Sequence, residues 1–139
     1  MMIEQHHYLT DVEFEKQFQA CKLDPTLFSH EAHLRLAWIN IKQYGLEKAE
    51  IRIQEQLRKF VVTLGAEAKY NATVTVAAIR IVGHFMRKSK VDNFKDFIQE
   101  FPQLKSNFKA LIKNHYSFDV YHSTLAKATF VAPDIKPFR

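Results

Sequence analysis

The stretch Ser29-His30-Glu31-Ala32-His33-Leu34-Arg35-Leu36-Ala37-Trp38-Ile39-Asn40-Ile41-Lys42-Gln43-Tyr44-Gly45 decides the fold class. Ser29 offers the short polar side chain that satisfies the free N–H groups of a helix start. Leu34, Ala37, Trp38, Ile41 and Tyr44 then recur at intervals of three and four, so they share one helical face. Gly45 stands where helices commonly end in backbone that glycine adopts without strain. Together these signals predict a helix with Ser29 as its N-cap and Gly45 as its stop.

Working outward, Leu46, Ala49, Ile53, Leu57, Phe60 and Leu64 keep the same spacing until Gly65, while Glu47, Lys48, Arg52, Glu55 and Lys59 fall on other faces. That is an amphipathic third helix. Upstream, Thr10-Asp11-Val12-Glu13 has the form of a capping box, and Phe14, Phe18 and Cys21 follow on one face. A first helix is predicted from about Asp11 to Lys22, ended by Asp24-Pro25. Thr73-Val74-Thr75-Val76 is β-branched enough for a strand. It runs without a turn signal into Ala77–Val82, however, so the stretch from Thr73 to Met86 is read as a fourth helix.

Asp92 is placed to cap a short helix holding Phe94, Phe97, Ile98 and Phe101, and Pro102 opens another with Leu104, Phe108, Leu111 and Ile112. The two read as one broken helix. Ser117 and Ser123 can each start a helical turn, and Pro133-Asp134-Ile135-Lys136-Pro137 reads as an extended tail. The expected architecture is all-α: a single-domain bundle of about five or six helices, with an up-and-down core, a broken penultimate helix and an irregular C-terminal tail. Residues 1–9 and 132–139 are expected to be extended or frayed.

Composition agrees. The chain has 139 residues, 47% of them hydrophobic, and only three glycines and four prolines, which leaves little material for hairpins or long loops. A chain of this size buries roughly two-thirds of its unfolded surface in one core. Cys21 is the only cysteine, so neither an internal disulfide nor a thiolate metal site can form, and a reducing compartment suits it. Met1–His7 lack the pattern of a secretion signal, and no apolar run approaches membrane-spanning length. The cytoplasm is the expected location, with no membrane contact.

The net charge of +5 is uneven: residues 1–50 hold 5 Lys/Arg against 8 Asp/Glu, and the remainder 15 against 7. Lys88, Lys90, Lys95, Lys105, Lys109 and Lys113 are widely spaced. They predict a solvated face, not a nucleic-acid footprint.

Short connections at Gly45 and Gly65 make neighbouring helices antiparallel, so the second and fourth helices begin at the same end of the bundle. If the broken helix from about Asn93 to Lys113 returns along the fourth, it brings Asn114, His115 and Tyr116 there too. This end would gather His30, Glu31 and His33, then Tyr70, Asn71, Thr73 and Thr75, then His115, Tyr116 and Ser117. His30 and His33, three apart, share a helical face where two imidazoles can hold one ion or one anionic group. The positive end of the helix dipole favours neutral rings there and attracts anions.

Each residue also has a structural explanation. A histidine or threonine near a helix start can supplement its cap, and a tyrosine can seal the core. His84 on the apolar fourth helix reads as a satisfied core or interface histidine, and His6 and His7 as part of a frayed terminus. Trp38, Phe14, Phe18, Phe60, Phe97 and Phe108 read as core. No phosphate loop, nucleophile elbow or His-Glu-x-x-His motif is present.

The order Phe28-Ser29-His30-Glu31-Ala32-His33-Leu34, Lys69-Tyr70-Asn71-Ala72-Thr73-Val74-Thr75, His115-Tyr116-Ser117 and Phe130-Val131-Ala132-Pro133-Asp134 resembles a family of small bacterial helical proteins of uncharacterised function. The likeness covers about residues 28–138. Its pattern is Phe-x-His-x-x-His-Leu, then Lys-Tyr-His-x-Thr-x-Thr and a late Tyr-Ser. Asn71 stands where that pattern places a histidine. The resemblance implies a site at one end of the bundle, with the missing imidazole weakening a metal role.

The leading expectation is a pocket for a small molecule or ion, formed by His30, His33, Tyr70, Asn71, Thr75, His115 and Tyr116. His30, His33 and His115 would be the ligands if a divalent metal binds. The alternative is an interaction module, a homodimer built on the apolar fourth helix. Nucleic-acid binding is the weakest reading.

Overall fold

The computed structural model describes residues 3–138, and among these all regular structure is helical, with no strand. A 3-10 turn at Gln5–Tyr8 leads to α1 (Asp11–Gln19), α2 (His30–Tyr44), α3 (Leu46–Thr63) and α4 (Ala72–Met86). Then come α5 (Phe94–Glu100), α6 (Gln103–Ser106), α7 (Phe108–Lys113) and α8 (Thr124–Ala128). Among the described residues the eight α-helices exceed the expected five or six because the broken helix falls into three pieces, α5 to α7, and the turn after Ser123 forms α8.

The boundaries follow local chemistry. Thr10 and Glu13 form the reciprocal capping box of α1, and Ser29 accepts from the Ala32 N–H at 3.1 Å. The first helix ends before Lys22, because Cys21 turns left-handed (φ 57°) and the Lys22 N–H reaches back to the Gln17 carbonyl at 2.8 Å. This closure normally uses glycine. Gly45 (φ 86°) is both the stop of α2 and the N-cap of α3, so no residue is spent on a loop. α5 is capped by Asn93, which accepts from the Asp96 N–H, and not by Asp92. Ser123 starts α8 as predicted, whereas Ser117 starts no helix and binds Asp134 in the tail.

α2 packs on both α3 and α4, and α3 on α4, so these three helices form the core of the bundle. Phe14, Phe18, Leu34, Phe60, Ile79, Phe97, Leu104 and Ile112 meet in one contiguous apolar cluster. Each such side chain contributes roughly 1.5–3 kcal/mol when fully buried. Val76, Ile79, Ile81 and Val82 of α4 are buried by the chain itself, and none of the large exposed apolar residues lies on that helix. The β-branched surface is thus consumed inside the bundle. No described helix is long and apolar enough to cross a membrane.

Candidate functional site

A cleft of about 840 Å³ opens where α2 and α4 begin, with α3 behind it and α6–α7 along one side. Such a volume suits a small organic molecule. His30 and His33 line it from α2, and Tyr70, Asn71 and Thr75 from the start of α4. Phe28, Leu34, Leu57, Phe60, Val74 and Ile79 supply an apolar floor.

The two histidines have defined orientations. His30 Nε2 lies 3.0 Å from the Leu104 carbonyl oxygen, and His33 Nδ1 lies 2.8 Å from that of Ser29. Carbonyls only accept, so these nitrogens carry protons, and in the neutral rings His30 Nδ1 and His33 Nε2 remain as acceptors. The His33 ring stacks on Phe28 at 3.8 Å, and His30 rests on Phe108 at 4.8 Å. Burial among the walls of the cleft pulls the His33 pKa down to about 4, and the adjacent His30 adds to the effect. The residue is nonetheless exposed on the open side of the cleft, which moderates that depression, and the ring is neutral at pH 7.

Asn71 and Thr75 are already engaged. Asn71 Oδ1 accepts from the Val74 N–H at 2.9 Å as the N-cap of α4, and its Nδ2 donates to the Val120 carbonyl at 2.9 Å. Thr75 Oγ1 donates to the Asn71 carbonyl at 2.7 Å. Tyr70 differs, since its hydroxyl is buried without a protein partner and the Arg58 guanidinium lies 4.9 Å from its ring centre. His30 and His33 therefore keep polar atoms for a guest, whereas the Tyr70 hydroxyl is shut away from the cleft.

His115 and Tyr116 do not line the cleft, contrary to expectation. His115 Nδ1 donates to the Lys136 carbonyl at 2.9 Å, and its ring lies 4.3 Å from Phe138. The Tyr116 hydroxyl donates to the Val131 carbonyl at 2.7 Å, and burial raises its pKa to about 12. The reason is the second helix break at Asn107. The chain reaches the cleft early, through Lys105, Ser106, Asn107, Phe108 and Lys109, and α7 then carries His115 away from it to the tail, against Lys136 and Phe138. His30, His33 and His115 are not a metal triad. His84 is also not satisfied as expected: its Nδ1 is buried without a partner.

Thr73 serves the tail. Its Oγ1 donates to the Thr129 carbonyl at 3.0 Å and accepts from the Val131 N–H at 3.0 Å, fully buried.

Residues 4–11 hold a polar cluster instead of fraying, and the first two residues lie outside the described ones. His6 is fully buried, and its Nε2 lies 2.9 Å from Glu31 Oε1, while His7 Nε2 approaches the same oxygen at 2.5 Å. Lys105 Nζ reaches Glu31 Oε2 at 2.8 Å and Glu4 Oε2 at 3.0 Å. Arg35 donates to the His6 and Leu9 carbonyls at 2.6 and 2.8 Å and pairs with Asp11 at 2.9 Å. Burial works to raise the Glu31 pKa, but the hydrogen bonds from Lys105 and His7 outweigh it and hold the group lowered. Burial and the His7 charge lower that of His6. The sequence carried a signal for this: Glu31 and Arg35 lie four apart on a helix too apolar to leave them solvated, and buried charges require partners. The nearest uncommitted partners were residues 4–11.

Among the described residues, His6, His7 and Glu31 form the one group of three His, Cys, Asp or Glu side chains whose ligand atoms lie within 4.8 Å of each other. Their surroundings do not suit a cation. Arg35 Nη1 lies 3.3 Å from His6 Nδ1, and a guanidinium can only donate, so Nδ1 accepts and the proton sits on Nε2, facing Glu31. A metal-bound histidine shows the reverse, donating from its outer nitrogen. The cluster is an ionic and hydrogen-bonded clamp on the N-terminal segment.

Comparison of the chain with protein-family models, with curated proteins and with solved structures gives no match, so function is read from the cleft.

Proposed function

We propose that the protein binds a small organic molecule in the cleft at the start of α2 and α4. One observation carries this reading: an apolar floor large enough for a guest is bordered by His30 and His33, each with one ring nitrogen that has no protein partner. The apolar body of the ligand would lie against Leu57, Phe60 and Val74, with a hydroxyl or amide donating to His30 Nδ1 or His33 Nε2. A metal at this pair lacks a third ligand, because no other His, Cys, Asp or Glu among the described residues joins it in such a group. The homodimer reading loses its motive, since the apolar residues of α4 are internal. With one cysteine, the chain suits a reducing cytoplasm.

The test is a fragment screen followed by amide shift mapping on the wild type and on Ala78→Phe, which fills the cleft from α4. Hits should shift residues of α2, α3 and α4 around the cleft and be lost in the variant. Hits that map elsewhere, or that bind a folded Ala78→Phe equally well, overturn the proposal.

A further inference from the structure

We infer that the ligand is an amphipathic organic anion, its apolar body on the floor of the cleft and a carboxylate or phosphate at the rim near Lys69 and Lys109. This rests on the cleft being the binding site. No aspartate or glutamate lines the cleft, whereas Lys69, Lys105 and Lys109 do. Lys105 is already neutralised by Glu31 and Glu4, so it is set aside. Neither Lys69 nor Lys109 forms an ion pair among the described residues.

These two lysines belong to one side of the rim. The Asn71 to Val120 hydrogen bond, 2.9 Å, ties the segment of Lys69 and Tyr70 to that of Tyr121. Lys109 Nζ in turn lies 5.2 Å from the Tyr121 ring centre. The same side holds the positive end of α4. Two cations without an ion-pair partner and a helix start thus border an apolar floor with no opposing charge. An anionic head group answers all three, and a neutral or cationic one leaves them unanswered.

The experiment titrates the wild-type protein with decanoate, decyl phosphate, decanol and decyltrimethylammonium below their micelle concentrations, read by calorimetry and amide shifts. The anions should bind about tenfold more tightly than decanol, the size of a modest charge interaction. Lys69→Gln/Lys109→Gln should reduce them to the level of decanol while leaving decanol itself unaffected. Decanoate against decyl phosphate separates the two head groups. If decanol binds in the cleft as well as the anions, or the ammonium binds better, the anion inference fails while the cleft reading stands. If none of the four shifts cleft residues, or Ala78→Phe binds them all unchanged, both fail.

Discussion

His6 Nε2 lies 2.9 Å from Glu31 Oε1, a buried contact that joins the N-terminal 3-10 turn to the first turn of α2 across 25 residues of sequence. Glu31→Ala strips His6, His7 and Lys105 of their shared acceptor. Removing one partner from a buried charge network costs about 3–5 kcal/mol. The urea midpoint should fall accordingly, and amide exchange at residues 5–9 should accelerate more than in α3. A loss below about 1 kcal/mol, typical of an exposed ion pair, would show the clamp to be decorative.

His33 makes stability depend on pH. Its folded pKa, about 4, lies below the ordinary value of 6.5, so the unfolded chain binds the proton more readily. Its contribution is complete above pH 6.5 and is lost as pH falls towards 4. His33→Gln should flatten the stability profile in that window by about 1 kcal/mol, allowing for the screening of a solvent-accessible ring. His6, also lowered, has the same sign and keeps a residual slope in the variant. Identical slopes for both proteins would remove His33 from this account.

Thr73→Val keeps the shape of a buried side chain but strands the Val131 N–H and the Thr129 carbonyl. Leaving buried polar groups unpaired costs about 1–3 kcal/mol. Amide exchange at Val131 should rise well before global unfolding. Unchanged protection there would mean that packing of Phe130 and α8 alone holds the tail.

Asn71→Ala removes both the cap of α4 and the bond to Val120. Loss of the cap alone costs about 1 kcal/mol, and the second bond about as much again. Asn71→His asks whether an imidazole can replace the amide at this position. Imidazole Nδ1 can accept from the Val74 N–H, but its Nε2–H lies farther out on the ring than the amide Nδ2 and does not reproduce the bond to Val120, so partial rescue is the expected thermal-melting result. Stability equal to that of Asn71→Ala would show that the imidazole takes over neither bond.

The helices were legible because their signals are local. Ser29, Gly45, the Thr10–Glu13 box and the spacing of Leu46 to Leu64 act within one or two turns, where backbone hydrogen bonding and apolar periodicity dictate the outcome. The meeting of His30 and His33 with Tyr70, Asn71 and Thr75 was legible too, since short glycine turns at positions 45 and 65 leave little choice of helix direction. His115 was misplaced because one more break, at Asn107, redirects the chain, and a helix of six residues such as α7 has too weak a pattern to announce its direction.

By itself, the sequence determined an all-helical chain and the end of the bundle where polar side chains gather. Only the tertiary structure decided which of them are free. Asn71 and Thr75 are engaged by backbone groups, Tyr70 is not, and His6 and His7 are locked on Glu31 although nothing local holds them there. Helix formation depends on neighbours in sequence, whereas the freedom of a polar atom depends on every group that packing brings within hydrogen-bond reach.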